Sequence, residues 1–316
     1  MEILRTPDER FAGLEDWPYE SKYVDVGDGI RMAYVDEGPP SGPVVLLGHG
    51  EPTWGYLYRK MIPGLAAAGR RVIVPHLIGF GRSDKPTARE DYTYERHVGW
   101  CRDFIDGLGL NDISLFGQDW GGLLFLVLVG EQPKRFRAVV AANAALPDPD
   151  LLTALGSDAV RESEGAFLRW FEQSQAYEQF SASDAVGGAD SALNQVGHTL
   201  TPGEAAAYDA PFPDESYCTG ARQFPVLVPL DDTDPPASML RRAWEGLRAY
   251  DKPFVTAFAE HEDVTRTFES VLQSQVAGAT GRTHVTVPAA GHFLQEQQPE
   301  ILVDLVLRVG ESHTAD

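Results

Sequence analysis

Short apolar runs alternate with longer amphipathic stretches along most of the chain. Residues 22–37 alternate in period two around a Gly27-Asp28-Gly29 turn, which predicts a β-hairpin. Six further apolar runs predict strands at 44–48, 71–75, 113–117, 138–142, 254–259 and 284–287. Helical patterns lie beside them at 54–68, 94–108, 121–131, 264–277 and 298–309. This alternation predicts an α/β fold, with a mostly parallel, doubly wound sheet covered by helices on both faces.

One long region lacks the strand signal. Between 147 and 224 the chain is rich in Ala, Ser, Gln and Asp, with aromatic residues at helical spacings. We therefore predict a first core segment at 1–146, an inserted helical cap at 147–224, and a second core segment at 225–316. The insertion follows a predicted strand at the edge of the sheet where α/β proteins bind ligands, so it is expected to form a lid over the site.

Composition narrows the range of partners. The 316 residues carry a formal net charge of -21, which repels nucleic acid and anionic lipid surfaces. The two cysteines, Cys101 and Cys218, belong to no zinc-binding pattern. No apolar run approaches the roughly 18 to 20 residues of a membrane span. We expect a cytoplasmic protein with no nucleic-acid or membrane partner.

The strongest local motif is ISLFGQDWGG at 113–122, followed by an apolar helical stretch. It has the strand-turn-helix form of a nucleophile elbow, in which flanking glycines allow a sharp turn that presents the central residue above the sheet. Asp119 occupies the place that serine takes in the G-x-S-x-G form. The pattern predicts an aspartate nucleophile.

Two further segments lie where a fold with a nucleophile elbow places its oxyanion loop, before the nucleophile, and its histidine, after it. The strand at 44–48 runs into the loop HGEPTW at 49–54, where the amide of Glu51 is predicted to form an oxyanion hole with the amide of Trp120. Near the C-terminus, His292 follows a predicted strand within PAAGHF and is the expected base.

The orienting acid stays open at this point. The strand at 254–259 is followed by Glu260, Glu262 and Asp263, and Asp148 follows the preceding strand. Glu262 is our choice, with Asp263, Glu260 and then Asp148 as alternatives.

An aspartate nucleophile implies a particular chemistry. A carboxylate is ionised at neutral pH without a base, since its reference pKa is about 3.9, and it can displace a leaving group at saturated carbon. The histidine then activates the water that hydrolyses the resulting ester. The indole N–H groups of Trp120 and Trp170 are candidate donors for a departing halide.

At these residues the chain resembles the haloalkane dehalogenases, in particular the branch with the HGEPTW loop and a second halide-binding tryptophan in the cap. Matching segments are HGEPTWGYLYRKMIP at 49–63, GFGRSDKP at 79–86, GQDWGG at 117–122, APFPDESY at 210–217 and AGHF at 290–293. The resemblance implies an α/β-hydrolase fold and hydrolysis of haloalkanes to alcohol, halide and proton. It implies no metal or organic cofactor. Separately, we expect a monomer or small homo-oligomer.

The resemblance assigns roles residue by residue. It places the nucleophile at Asp119, the base at His292, the halide-binding indoles at Trp120 and Trp170, and the oxyanion or water-positioning groups at Glu51 and Trp120. Relatives usually have aspartate as the acid, and an ungapped match places Glu262 there. His76 also stands where relatives usually have aspartate.

Other functions fit the sequence less well. Epoxide hydrolases share the aspartate nucleophile and use two cap tyrosines, for which Tyr177, Tyr208 and Tyr217 are the candidates here. Haloacid dehalogenases of this fold carry arginine after the nucleophile, where this chain has Trp120. A serine esterase is disfavoured because the elbow contains no serine or cysteine. A catalytically silent binding protein on this fold would typically lack a member of the triad, whereas Asp119 and His292 are both present here.

Overall fold

A central sheet organises the molecule, whose computed structural model describes residues 1–155 and 165–311. The strands, numbered along the chain, are β1 Ile3–Leu4, β2 Lys22–Asp25, β3 Arg31–Glu37, β4 Val44–Gly48, β5 Arg71–Pro75, β6 Lys85–Pro86, β7 Ile113–Asp119, β8 Phe136–Ala144, β9 Phe254–Ala259 and β10 Val285–Val287. Eight of them form one sheet in the order β10-β9-β8-β7-β4-β5-β3-β2. The pairs from β10 to β5 are parallel, and β3 joins both β5 and β2 in antiparallel pairs. The predicted α/β sheet with its N-terminal hairpin is confirmed.

Helices cover the sheet and span the region between β8 and β9. They are α1 Ile62–Ala67, α2 Tyr94–Gly107, α3 Trp120–Glu131, α4 Pro149–Leu155, α5 Gly165–Ala176, α6 Ala182–Gly187, α7 Pro202–Asp209, α8 Thr219–Gln223, α9 Ala237–Ala249, α10 Thr267–Gln275, α11 Leu294–Gln297 and α12 Pro299–Glu311. The described residues between β8 and β9 contain helices and loops but no strand. The boundaries of the cap at 147 and 224 stay a prediction. Within the described ranges, no helix has the length and apolar character needed to cross a bilayer.

Three predicted helices differ from the structure. The stretch 54–68 forms a 3-10 turn at Gly55–Tyr58 and then α1, because Pro63 lacks an amide hydrogen and occupies the first turn of a new helix. The helix expected at 264–277 spans only α10, since the residues just before it belong to the loop held by Glu262. The helix expected at 298–309 begins at Pro299 and is preceded by the separate α11.

A buried ionic cluster connects the core to α7. Arg59 donates to Glu204 at 2.6 Å and to both carboxylate oxygens of Glu296, while Lys60 donates to Glu296 at 2.8 Å. The hydroxyl of Tyr208 donates to Glu296 as well. The Arg59 side chain has no exposed surface, so its charge depends on these partners. The cluster therefore fixes α7 against the loop that follows β4 and the segment that follows His292.

Candidate active site

Asp119 lies on a sharp turn between β7 and α3, above the carboxyl ends of the parallel strands. Its backbone has φ 51° and ψ -124°, a conformation that few residues other than glycine adopt. The turn depends on Gly121, because a Cβ at that position would lie 2.0 Å from the carbonyl oxygen of Gly48. The strained turn lifts the Asp119 carboxylate away from the sheet and presents it to the space above.

The loop after β4 holds one side of that carboxylate. The amide of Glu51 donates to Oδ1 of Asp119 at 2.9 Å. Gly50 permits this approach, since a Cβ there would meet Oδ1 at 2.1 Å. Burial lowers the pKa of His49 to about 4, so its neutral ring donates from Nδ1 to the Gly50 carbonyl and accepts the Leu77 amide at Nε2. The loop is fixed with one amide directed at the carboxylate.

His292 and Glu262 lie on the other side of Asp119. His292 Nε2 is 3.5 Å from Oδ2 of Asp119, and its Nδ1 is 3.0 Å from Oε2 of Glu262. The second oxygen of Glu262 accepts from the amide and the hydroxyl of Thr265, at 2.6 and 3.0 Å. Asp119, His292 and Glu262 thus lie in one row, in which His292 is hydrogen-bonded to Glu262 and lies within ion-pair distance of Asp119, and the acid is held at both oxygens.

The other candidate acids lie elsewhere. Asp263 accepts from Gln195 and Arg169, and Glu260 accepts from the amide of Ala289. Asp148 forms an ion pair with Arg248. Adjacent positions in a loop point in different directions, so only Glu262 among the four reaches the imidazole.

Electrostatics place a proton on His292. Burial disfavours the imidazolium, but the Glu262 charge, and the hydrogen bonds and charge of Asp119 beside it, outweigh burial and raise the pKa of His292 to about 10. Burial likewise opposes the charge of Glu262, yet the His292 charge and the Thr265 hydrogen bonds lower the pKa of Glu262. The two carboxylates beside the ring therefore favour the imidazolium over the neutral imidazole.

The row faces a cavity that is partly open to solvent. Its polar wall consists of Glu51, Asp119, Thr265 and His292 together with the indoles of Trp120 and Trp170. The rest of the lining is apolar: Leu123, Ala145, Phe167, Leu193, Pro225, Val228, Val264 and Phe268. A small apolar molecule fits this chemistry, with the Asp119 carboxylate placed at the cavity wall as the nucleophile.

The two candidate indoles differ in their hydrogen bonds. Trp170 donates from Nε1 to Oε2 of Glu51 at 2.8 Å, whereas the Trp120 indole has no hydrogen-bond acceptor among the described residues. Oε1 of Glu51 is buried and has no hydrogen-bond partner within residues 1–155 and 165–311. Burial and the neighbouring Asp119 charge raise the pKa of Glu51 well above its ordinary value, which favours the protonated acid. A halide that takes both indoles must therefore displace Glu51 from Trp170.

Comparison with known proteins identifies the family. Residues 43–217 match the family model described as alpha/beta hydrolase fold. The chain is 47% identical over 315 residues to a haloalkane dehalogenase of Psychrobacter cryohalolentis, covering 98% of each chain, and 44% identical over 313 residues to haloalkane dehalogenase 1 of Mycobacterium bovis, covering 97% of this chain and 98% of that one. The chain belongs to the haloalkane dehalogenase family. Among solved structures, the tetrameric haloalkane dehalogenase DpaA from Paraglaciecola agarilytica superposes with a TM-score of 0.85 at 32% identity, over 100% of both chains.

Asn143 contributes to the site, although the sequence patterns assigned it no role. Its side chain donates to the carbonyls of Gly291 and His292, both at 3.0 Å, and accepts from the amide of Ala259 at 2.8 Å. It thereby ties the end of β8 to the loops that carry the base and the acid. A signal was present in the sequence, since a buried asparagine that ends an apolar strand needs hydrogen-bond partners.

His76, to which the sequence assigned no role, also has a structural account. It is fully buried against Trp17 and Trp54, and its Nδ1 accepts the amide of Arg82 at 3.2 Å. Burial, together with nearby positive charges, lowers its pKa well below the usual value. A neutral ring that accepts this loop amide fits the buried aromatic pocket around it.

Proposed function

We propose that this enzyme hydrolyses haloalkanes to alcohol, halide and proton by way of an alkyl ester on Asp119. The single observation that carries this proposal is the row of Asp119, His292 and Glu262 at the wall of an apolar cavity. The family relatives named as haloalkane dehalogenases support the same activity. An apolar cavity suits a small halogenated substrate, with water and the halide as the other species that the site must accommodate.

The first step joins the substrate carbon to Asp119. Oδ1 is held by the Glu51 amide at 2.9 Å, so we assign the attack to Oδ2. A C–O bond forms at the saturated carbon while the carbon-halogen bond breaks, and its electron pair leaves with the halide. The Trp120 N–H donates to the leaving halide, joined by Trp170 once that indole releases Glu51. No proton transfer is needed, so His292 plays no part in this step.

The second step hydrolyses the alkyl ester and regenerates the Asp119 carboxylate. Esterification removes the Asp119 charge, which lowers the pKa of His292 and lets the imidazolium lose its proton to solvent. The neutral imidazole then takes a proton from water as the water oxygen adds to the ester carbonyl carbon of Asp119. The Glu51 and Trp120 amides stabilise the oxyanion. Its collapse breaks the bond between the carbonyl carbon and the ester oxygen, and that oxygen takes the proton of the hydroxyl added by water, so the alcohol leaves and the Asp119 carboxylate returns beside a protonated His292. Glu262 stabilises the imidazolium that forms again during water attack.

The cavity favours a haloalkane over an epoxide. Epoxide opening by this chemistry needs acidic hydroxyls above the nucleophile, yet no tyrosine is among the described residues that line the cavity. Tyr208, one of the three candidates, instead donates to Glu296 in the buried ionic cluster. We therefore assign no epoxide hydrolase activity.

Halide release is the direct test. Purified protein is given 1-bromobutane or 1,2-dibromoethane, with styrene oxide in parallel, and both halide and acid are measured. Asp119→Ala should abolish release, and His292→Gln should form the alkyl-enzyme, seen as one added alkyl mass, without turning over. Asp251→Asn is the matched control, because this exposed carboxylate precedes β9 at the opposite edge of the sheet. Full turnover by Asp119→Ala, or an unmodified and fully active His292→Gln, would refute the two-step mechanism.

Other properties remain predictions. From the sequence we predict a monomer or small homo-oligomer that works in the cytoplasm. The related DpaA is tetrameric. Size-exclusion chromatography with light scattering would establish the assembly of this chain.

A further inference from the structure

The side chain of Gln195, in the predicted cap, lies between two core loops of the site. Its Oε1 accepts from the backbone amide of His292 at 2.8 Å, and its Nε2 donates to Oδ1 of Asp263 at 2.6 Å. Gly291 leaves room for it, since a Cβ at that position would lie 3.1 Å from Oε1 of Gln195. One cap residue therefore contacts both the backbone of the base and the neighbour of the acid.

The remaining contacts of His292 come from the core. Its ring is held by Glu262, and its carbonyl accepts from Asn143 at 3.0 Å and from Gln118 at 3.3 Å. The amide is thus the one backbone group of His292 whose hydrogen-bond partner lies in the predicted cap. The placement of the imidazole depends on that contact as well as on the core.

The same junction borders the substrate cavity. Leu193, two residues before Gln195, and Val264, next to Asp263, both line it. Arg169 of α5 donates to Oδ2 of Asp263 at 3.3 Å, and the next residue in α5, Trp170, donates to Glu51. Asp263 therefore receives two side chains from the predicted cap at the wall of the cavity.

We propose that Gln195 is a positioning residue for ester hydrolysis, an inference that rests on the proposed function. Its contact fixes the His292 backbone so that Nε2 stays directed at the Asp119 carboxyl and at the water that attacks there. Alkylation uses the Asp119 carboxylate and the two indole donors, and it needs no base. Loss of Gln195 therefore slows the decay of the alkyl-enzyme and leaves its formation unchanged.

Single-turnover kinetics on the full chain separates the two steps. Protein is mixed with 1-bromobutane and quenched, and intact mass gives the rates of alkyl-enzyme formation and decay. Gln195→Ala should slow decay about tenfold, the effect of one lost hydrogen bond to a positioned group, with formation unchanged within about twofold. Gln195→Met keeps the length of the side chain without the acceptor, so it should give the same result and serves if the alanine variant is unstable.

Gln173→Ala is the matched control. This cap glutamine accepts from the amide of Ala192 and donates to the carbonyl of Asp190, both at 2.9 Å, so it holds the same loop without contacting His292. Wild-type decay rates in both Gln195 variants would overturn the inference, and so would equal slowing in Gln173→Ala, which would assign the effect to loop order. If the wild-type protein forms no alkyl-enzyme and releases no halide, the proposed function fails first; if the wild type turns over and the Gln195 variants match it, the inference alone fails.

Discussion

Removal of the Asp119 charge should lower the pKa of His292, and this coupling is the step on which the proposed mechanism turns. In the resting enzyme the imidazole lies between two carboxylates, which raise its pKa to about 10. A base that is already protonated cannot accept a proton from water. The mechanism works because esterification of Asp119 removes one of the two charges, and Asp119→Asn reproduces that loss with little change in shape.

The size of the effect follows from the geometry. Oδ2 of Asp119 is 3.5 Å from Nε2 of His292. At an effective dielectric constant of about 20, a unit charge at that distance contributes roughly 5 kcal/mol, equivalent to roughly three to four pKa units. We therefore expect the pKa of His292 to fall from about 10 in the wild type to roughly 6 to 7 in Asp119→Asn. At neutral pH a substantial fraction of the rings in the variant is neutral and competent as a base.

An NMR titration measures this directly. The protein has eight histidines, so isotope labelling of the histidine rings gives few NMR signals. The signal that is missing from the spectrum of His292→Gln belongs to His292. Asp119→Ala, which also removes the charge, should show the same direction of change. A His292 that titrates near 10 in both Asp119 variants, or near 7 in the wild type, would refute the reasoning that alkylation activates the base.

Three further predictions concern the acid, the halide site and the buried cluster. Glu262→Gln removes the charge beside His292 but keeps the Thr265 contacts. The alkyl-enzyme should therefore accumulate, and its decay should slow about 100-fold or more in single-turnover experiments. An alkyl-enzyme that decays at the wild-type rate in this variant would exclude Glu262 as the orienting acid. Trp170→Phe removes an indole donor, so the inhibition constant for bromide should rise about tenfold, and an unchanged constant would argue against a halide contact. Arg59→Met should cost about 3 to 5 kcal/mol of unfolding free energy in urea because it leaves Glu296 buried without its main partner, whereas the exposed Arg241→Ala should cost less than about 1 kcal/mol.

The sequence was sufficient to predict those parts of the site whose position depends on a strand and the turn directly after it. The elbow around Asp119, the loop with Glu51 and the position of His292 each follow a strand of the parallel sheet, and the carboxyl ends of these strands meet at one edge. Hydrophobic periodicity located those strands to within two residues at each end. The orienting acid was harder to identify from the sequence, because three carboxylates follow β9 within four positions and a loop has no regular periodicity. The turn from Ala259 to Glu262 and the two Thr265 contacts direct one of the three inward.

The contacts that the sequence analysis missed lie mainly where the predicted cap meets the core. Trp170 and Glu51 are 119 positions apart, and Gln195 and His292 are 97 apart, so no short-range pattern connects them. Both contacts depend on how the helices between β8 and β9 sit on the sheet, and both end on a group that the mechanism uses. Since the same junction borders the cavity, we expect a change in the packing of the predicted cap to alter the proposed halide site and the base together. Substitutions there are expected to change substrate preference and the rate of ester hydrolysis jointly.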